Sequence, residues 1–298
     1  MLEQISGTAQ GLCKELLLFA RLVKLEHSVF ALPCAYLGLF LAAGGWPGWV
    51  PFLVLTGAMV AVRSFAMAVN RVADEKYDRI NPRTADRPLV TGEISRKKAW
   101  AMVVASALVF ILCCAGLNTV CLILSPAALV WSGLYSYSKR FTWLSHFWLG
   151  SVLGLAPIGG WLALSSTFSI SILLFFLGVT FWVAGFDILY ACQDIDFDVQ
   201  VGLQSVPRRF GLQAALLIST FAHINASIFF LVAGLAAQLG WIYILVWLAV
   251  SIILLWEHTL VDAEDLSRVN LAFFTMNGVV AVVLCVGAVA DIFGPLAG

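Results

Sequence analysis

The sequence predicts an all-α, multi-pass membrane bundle, and three observations carry that expectation. Of 298 residues, 61% are hydrophobic and only 11% are charged, with a mean hydropathy of +0.96, so a water-soluble fold could not hide the apolar surface. Apolar stretches near the ~20 residues that cross a bilayer as a helix recur between short polar breaks. The basic residues occupy only alternate breaks.

Nine spans follow from that punctuation, at 25–43, 51–69, 99–116, 119–137, 147–164, 169–189, 213–234, 239–256 and 271–292. Lys14, Arg21 and Lys24 precede or enter span 1, and Arg63 lies in the last turns of span 2. The segment between spans 2 and 3 carries the basic residues from Arg71 to Lys98; Lys139 and Arg140 follow span 4, Arg208 and Arg209 precede span 7, and Arg268 precedes span 9. Those positions account for all 17 Lys and Arg, and the opposite breaks, Gly44–Val50, Gly116–Asn118, Ser165–Phe168, Ala236–Gly240 and the tail from Asp291, have none. The positive-inside rule then places the amino terminus in the cytoplasm and the carboxyl terminus outside. Within span 5, Gly150 and Gly154 at GxxxG spacing predict close helix packing.

No linker or low-complexity tract divides the chain, so residues 1–298 read as one domain. Glu3 and Glu15, ahead of a long first apolar stretch, argue against a cleavable signal or a mitochondrial leader, which leaves a bacterial plasma membrane as the simplest location. The seven cysteines form no CxxC pair and read as small packing residues.

Two groups of polar residues interrupt the apolar pattern on the basic side. The first is Asn70, Asp74 and Asp78; the second is Asp194 and Asp198, with Asp187 two turns earlier. Side chains four residues apart share one helix face, and carboxylates at a membrane border are costly enough to be functional as a rule. Four carboxylates together would repel and take up protons. Oxygen-only ligands suit Mg²⁺, which keeps open positions for substrate phosphates. Lys139, Arg140, Tyr135 and Arg63 would supply the partners of a diphosphate, Arg63 above all because an arginine inside an apolar span needs an anion. The four histidines are scattered, no Cys/His zinc set is present, and neither a phosphate-binding GxxxxGK[ST] loop nor GxGxxG occurs, so carboxylates, a metal and an apolar cavity are left to do the chemistry.

These motifs resemble those of the UbiA superfamily of intramembrane aromatic prenyltransferases, over roughly residues 21–293. NxxxDxxxD stands as Asn70, Asp74 and Asp78, and the YxxxD step with DxxxD as Tyr190, Asp194 and Asp198. TxxRP appears as Thr84, Arg87 and Pro88, and YxxxKR as Tyr135, Lys139 and Arg140. The resemblance implies nine helices around a central cavity, with Asp74, Asp78, Asp194 and Asp198 holding Mg²⁺, and Asn70, Arg63, Lys139, Arg140 and Tyr135 binding the diphosphate. It implies a polyprenyl diphosphate donor and an aromatic acceptor, with no nucleic-acid partner. His27-Ser-Val-Phe-Ala-Leu-Pro33 is similar to a bacterial subgroup labelled 4-hydroxybenzoate polyprenyltransferase-like. The acceptor expected first is 4-hydroxybenzoate, for respiratory quinone synthesis, and a futalosine-derived acceptor or dihydroxynaphthoate for menaquinone is the alternative. Asp194, with Asp187 behind it, is the expected base beside Lys139, and Arg21 and Lys24 could meet an acceptor carboxylate. An ion-coupled transporter is the competing class, but it predicts charges near the bilayer midplane rather than at one border.

Overall fold

The computed structural model describes residues 18–23, 28–260 and 275–294, with the side chains of 28–30 excepted. Among these residues all regular structure is helical. The long helices are α1 (Ser28–Ala43), α2 (Trp49–Asp78), α3 (Arg96–Leu117), α4 (Thr119–Ser138), α5 (Ser145–Leu162) and α6 (Ile170–Ala191). The short α7 (Ile195–Val201) and α8 (Val206–Phe210) follow, then α9 (Leu212–Ala236), α10 (Trp241–Glu257) and α11 (Asn277–Ile292). Among the described residues each stretch expected to span coincides with one of the long helices, while 25–27 and 271–274 lie outside the described residues. Among the described residues five helical runs suffice by length and composition to cross a bilayer: α2, α3, α4, the run from Ile170 through α7, and α9.

Leu217, Leu112 and Ile123 are 71%, 70% and 69% exposed. Such residues around the bundle belong against lipid. Trp46, Trp49 and Phe52 pack edge to face or tilted beside Phe40, an aromatic cluster of the kind that sits at a membrane interface. The chain is an integral membrane protein.

The centre of the bundle is α6, which packs along α5 on one side and α9 on the other, while α1 crosses α5 and α11 lies against α1. The predicted close approach at Gly150 and Gly154 is present. A Cβ at Gly150 would fall on the Thr180 carbonyl oxygen, and one at Gly154 would lie 2.8 Å from the Phe176 oxygen. Only hydrogens in those places let α5 and α6 come together.

Two boundaries differ from the sequence reading, and both concern the polar side. Helix α2 has 30 residues, about 45 Å at 1.5 Å per residue, which exceeds the ~30 Å hydrocarbon thickness. Its last turns therefore leave the membrane still helical, carrying Asn70, Asp74 and Asp78, and the connection to α3 begins only at Arg79. The second motif is not one continuous helix. A 3-10 turn at Cys192–Asp194 separates α6 from α7, and Asp194 becomes the N-cap of α7. The connection Ala191–Leu212 is built from that turn, α7 and α8.

Candidate active site

One cavity of about 240 Å³ collects the groups that the sequence separates. Asn70, Asp74 and Asp78 from α2, Tyr135 and Lys139 from the end of α4, and Asp187, Asp194 and Asp198 from α6 and α7 all line it, together with Arg63. Its deeper wall is apolar, with Met67, Leu153, Val183 and Phe186.

Local chemistry holds each carboxylate. Asn70 Nδ2 donates to Asp74 Oδ2 at 2.8 Å, the i,i+4 contact that helical spacing predicts. Arg140 does not line the cavity. It stacks over Tyr137, 4.6 Å from the ring centre, donates to the Ala73 carbonyl at 2.6 Å, and reaches Asp74 Oδ1 at 3.5 Å. Arg87 donates to Asp78 Oδ2 at 2.5 Å, and Thr84 donates to the Asp78 carbonyl oxygen at 3.2 Å, so the TxxRP element anchors the end of α2. Buried Arg71 spans from Asn70 Oδ1 to the Leu22 carbonyl.

Arg83, from the segment that follows the first motif, reaches the second, a role the sequence did not suggest. Its Nε and Nη2 donate to Asp194 Oδ1 and Oδ2 at 3.1 and 2.6 Å, and its Nη1 donates to the Tyr190 hydroxyl at 2.6 Å. This two-pronged pairing is the strong form of a carboxylate contact. Asp198 Oδ2 accepts from Ser205 Oγ at 2.7 Å. Asp187 Oδ2 meets His146 Nδ1 at 2.7 Å, and His146 is fully buried. No sequence signal set His146 apart from the other three histidines.

Lys139 stands among these acids as the C-cap of α4. Burial pushes its pKa down, but Asp187, Tyr135, Asp198 and Asp194 outweigh burial and hold it above the ordinary lysine value. The ammonium is therefore a permanent positive charge facing the cavity. Arg63 lies seven residues before Asn70, about 10 Å deeper along α2, and its buried Nε has no hydrogen-bond partner among the described residues. Arg21 is exposed, pairs with Glu93 at 2.9 Å, and is not among the lining residues. Lys24 lies outside the described residues.

The donor set suits a magnesium ion. It is all oxygen, and among the described residues no three acidic or histidine side chains form a cage by themselves. A small hard cation that binds one or two carboxylates and completes its shell from substrate phosphates asks for that arrangement. Asp74, Asp78, Asp194 and Asp198 line the cavity and are the groups that could contribute oxygen to such an ion.

A lipid-embedded helical bundle with paired carboxylates and cations around a cavity at one polar end defines an integral membrane protein with a polar ligand site. Comparison with known proteins makes the class specific: the chain belongs to the UbiA prenyltransferase family, whose model matches residues 31–279. Among curated relatives it is 30% identical to the 4-hydroxybenzoate octaprenyltransferase of Enterobacter sp. (strain 638), covering 92% of this chain and 95% of that one. It is likewise 30% identical to the enzyme of the same name from Citrobacter koseri, over 94% of this chain and 97% of that one. A solved UbiA homolog from Aeropyrum pernix K1, in its apo form, is 35% identical with a TM-score of 0.81, covering 90% of this chain and 98% of that one. A UbiA homolog from Archaeoglobus fulgidus, solved with GPP and Mg²⁺, shares the fold at 22% identity and a TM-score of 0.73, over 93% of this chain and 100% of that one.

Proposed function

We propose that this prenyltransferase moves a polyprenyl group from polyprenyl diphosphate to 4-hydroxybenzoate, for respiratory quinone synthesis in a bacterial plasma membrane. The observation that carries the reading is the meeting of both aspartate motifs with Lys139 around one cavity. The acceptor is taken from the names of relatives that are 30% identical over nearly the whole chain. Nine membrane crossings, with the amino terminus and the cavity on the cytoplasmic side, agree with the charge asymmetry.

In this reading Asn70, Asp74, Asp78, Asp194 and Asp198 bind Mg²⁺ and diphosphate at the rim, and Lys139 and Tyr135 reach the diphosphate from α4. Arg140 acts behind Asp74, holding the end of α2. Magnesium, when bound, neutralises the leaving diphosphate and withdraws electrons from it. The permanent charge on Lys139 aids departure of the diphosphate as the allylic C–O bond breaks and its electron pair leaves with oxygen. The apolar wall of Met67, Leu153, Val183 and Phe186 shelters the prenyl cation from water. The acceptor ring then forms the new C–C bond, and its displaced proton passes to a carboxylate.

The geometry favours Asp187 over Asp194 as that base. Asp194, paired with Arg83, belongs to the rim where the metal and diphosphate would bind, whereas Asp187 lies seven residues earlier, deeper along α6, and lines the cavity with Oδ1 outside its bond to His146. Arg63 at that depth suits the acceptor carboxylate better than the diphosphate, since its guanidinium has an unused donor some 10 Å from the rim. A polyprenyl tail is too long for this cavity and must extend between helices into lipid.

The test uses the full chain in phospholipid nanodiscs with geranyl diphosphate and a panel of aromatic acceptors, the product being identified by mass. Prenylated 4-hydroxybenzoate is expected, lost on chelation with EDTA and restored by Mg²⁺. Asp74→Ala is expected to lower diphosphate release at least about 100-fold. Unchanged release by that variant, or transfer only to other acceptors, rejects the assignment.

A further inference from the structure

We infer that His146 is a positioning residue that holds Asp187 with its free oxygen turned toward the acceptor, and that the loop 202–206 sets its orientation. The inference rests on the prenyl-transfer reading above and deepens it.

Hydrogen-bond direction fixes the tautomer of His146. His146 Nε2 faces the backbone N–H of Val206 at 3.2 Å, and a backbone N–H can only donate, so Nε2 carries a lone pair. The ring proton is therefore on Nδ1, which donates to Asp187 Oδ2 at 2.7 Å. His146 is fully buried and Asp187 is 9% exposed. With one oxygen fixed by the imidazole, the other is left for the cavity. A hydrogen bond to a carboxylate from a ring locked in one tautomer also restricts rotation of that carboxylate.

The far side of the imidazole is no less constrained. Gly202 ends α7 at φ +81°, and the chain then makes three successive attachments. The Gln204 N–H donates to the Lys139 carbonyl at 2.6 Å, Ser205 Oγ to Asp198 Oδ2 at 2.7 Å, and the Val206 N–H to His146. Arg208 donates to the Leu203 carbonyl and closes the loop on itself. One short segment thus ties the backbone of the leaving-group lysine, the last aspartate of the second motif and the orienting histidine of the proposed base. Any buried imidazole needs a partner at each nitrogen, and what sets this one apart is that its Nδ1 partner, Asp187, also lines the cavity.

The test compares His146→Leu, His146→Gln, Asp187→Asn and the double variant His146→Leu with Asp187→Asn, in nanodiscs with geranyl diphosphate, Mg²⁺ and 4-hydroxybenzoate. Glutamine can accept from Val206 through its carbonyl and donate to Asp187 through its amide, whereas leucine fills the space without hydrogen bonds. His146→Leu is expected to lower kcat by about 100-fold with KM for geranyl diphosphate within about twofold. His146→Gln is expected to recover to within about fivefold of the wild type. The double variant should be no slower than Asp187→Asn by more than about twofold, since both act on one step. A glutamine variant as slow as leucine, full activity in the leucine variant, a loss confined to KM, or multiplied losses in the double variant would overturn the inference. An inactive wild type would instead overturn the prenyl-transfer reading beneath it, and a thermal midpoint for each variant separates either result from misfolding.

Discussion

The two sides of α6 carry similar polar groups and put them to opposite uses. Toward α2, α4 and α5, Asp187 meets His146 and keeps an oxygen open to the cavity. Toward α9, α10 and α11, Trp182 donates to Asn277 Oδ1 at 2.6 Å and Asn277 donates to Glu257 Oε1 at 2.9 Å. There His223 meets the Trp182 carbonyl at 3.2 Å and His258 at 3.0 Å. His223, Glu257, Asn277 and Trp182 are at most 1% exposed, and none of them lines the cavity. Both sides pair a histidine ring and a carboxylate in an apolar bundle, yet only one leaves a bonding position facing a space that a ligand can enter. A polar group buried away from any cavity fixes helix packing, even where one oxygen, as in Glu257 Oε2, has no partner among the described residues, whereas an oxygen at a cavity wall can bind or react.

The largest effect should come from the open side. Asp187→Asn keeps an oxygen that accepts from His146 and removes the basic carboxylate, so kcat should fall by about 1000-fold, within the range of lost general-base catalysis. The denaturation midpoint should barely move, because volume and the histidine contact are retained. Turnover and thermal unfolding of the same preparation check both parts. Wild-type turnover with a lowered midpoint would make the two sides of α6 alike and end the contrast.

The enclosed side should respond in the reverse sense. Asn277→Leu leaves the Trp182 N–H and Glu257 Oε1 without their partner in a fully buried place, at a cost of about 2–3 kcal/mol. The correctly folded fraction should keep kcat within about twofold. Equilibrium unfolding in a detergent titration measures the first quantity and product formation per folded enzyme the second. A 100-fold loss of kcat at unchanged stability would mean that this network takes part in the reaction.

The contrast between the two sides was only half legible in the sequence. Helix positions could be read because each is an apolar run between polar breaks, and the face shared by Asn70, Asp74 and Asp78 because four-residue spacing reports an α-helix even where hydropathy ends. Hydropathy alone stopped span 2 at residue 69, since a helix that leaves the membrane loses its apolar signature but not its backbone hydrogen bonds. The break at Cys192–Asp194 leaves the DxxxD spacing intact and so could not be seen. Arg83 pairs with a residue 111 positions away, and His146 owes its role to Val206 and Asp187, 60 and 41 positions distant. Such contacts are properties of the packed bundle. The histidines on either side of α6 look the same one residue at a time, and only their partners distinguish them.

The smallest effect tests the outer limit of the open side. Arg21 could meet an acceptor carboxylate if charge near the first span were the criterion, but its guanidinium is 58% exposed and pairs with Glu93, itself 39% exposed. A surface pair of that kind contributes about 0–1 kcal/mol, because water and salt screen both charges and two long side chains must be held in place. Arg21→Ala should therefore shift stability by no more than that and leave KM for the acceptor within about twofold. Arg63 is the opposite case on the same criterion, a cation in the cavity wall with a donor unused. Acceptor titrations of Arg21→Ala and Arg63→Ala side by side decide between them. A tenfold rise of KM in the first and none in the second would move the acceptor from the buried floor of the cavity to its exposed approach.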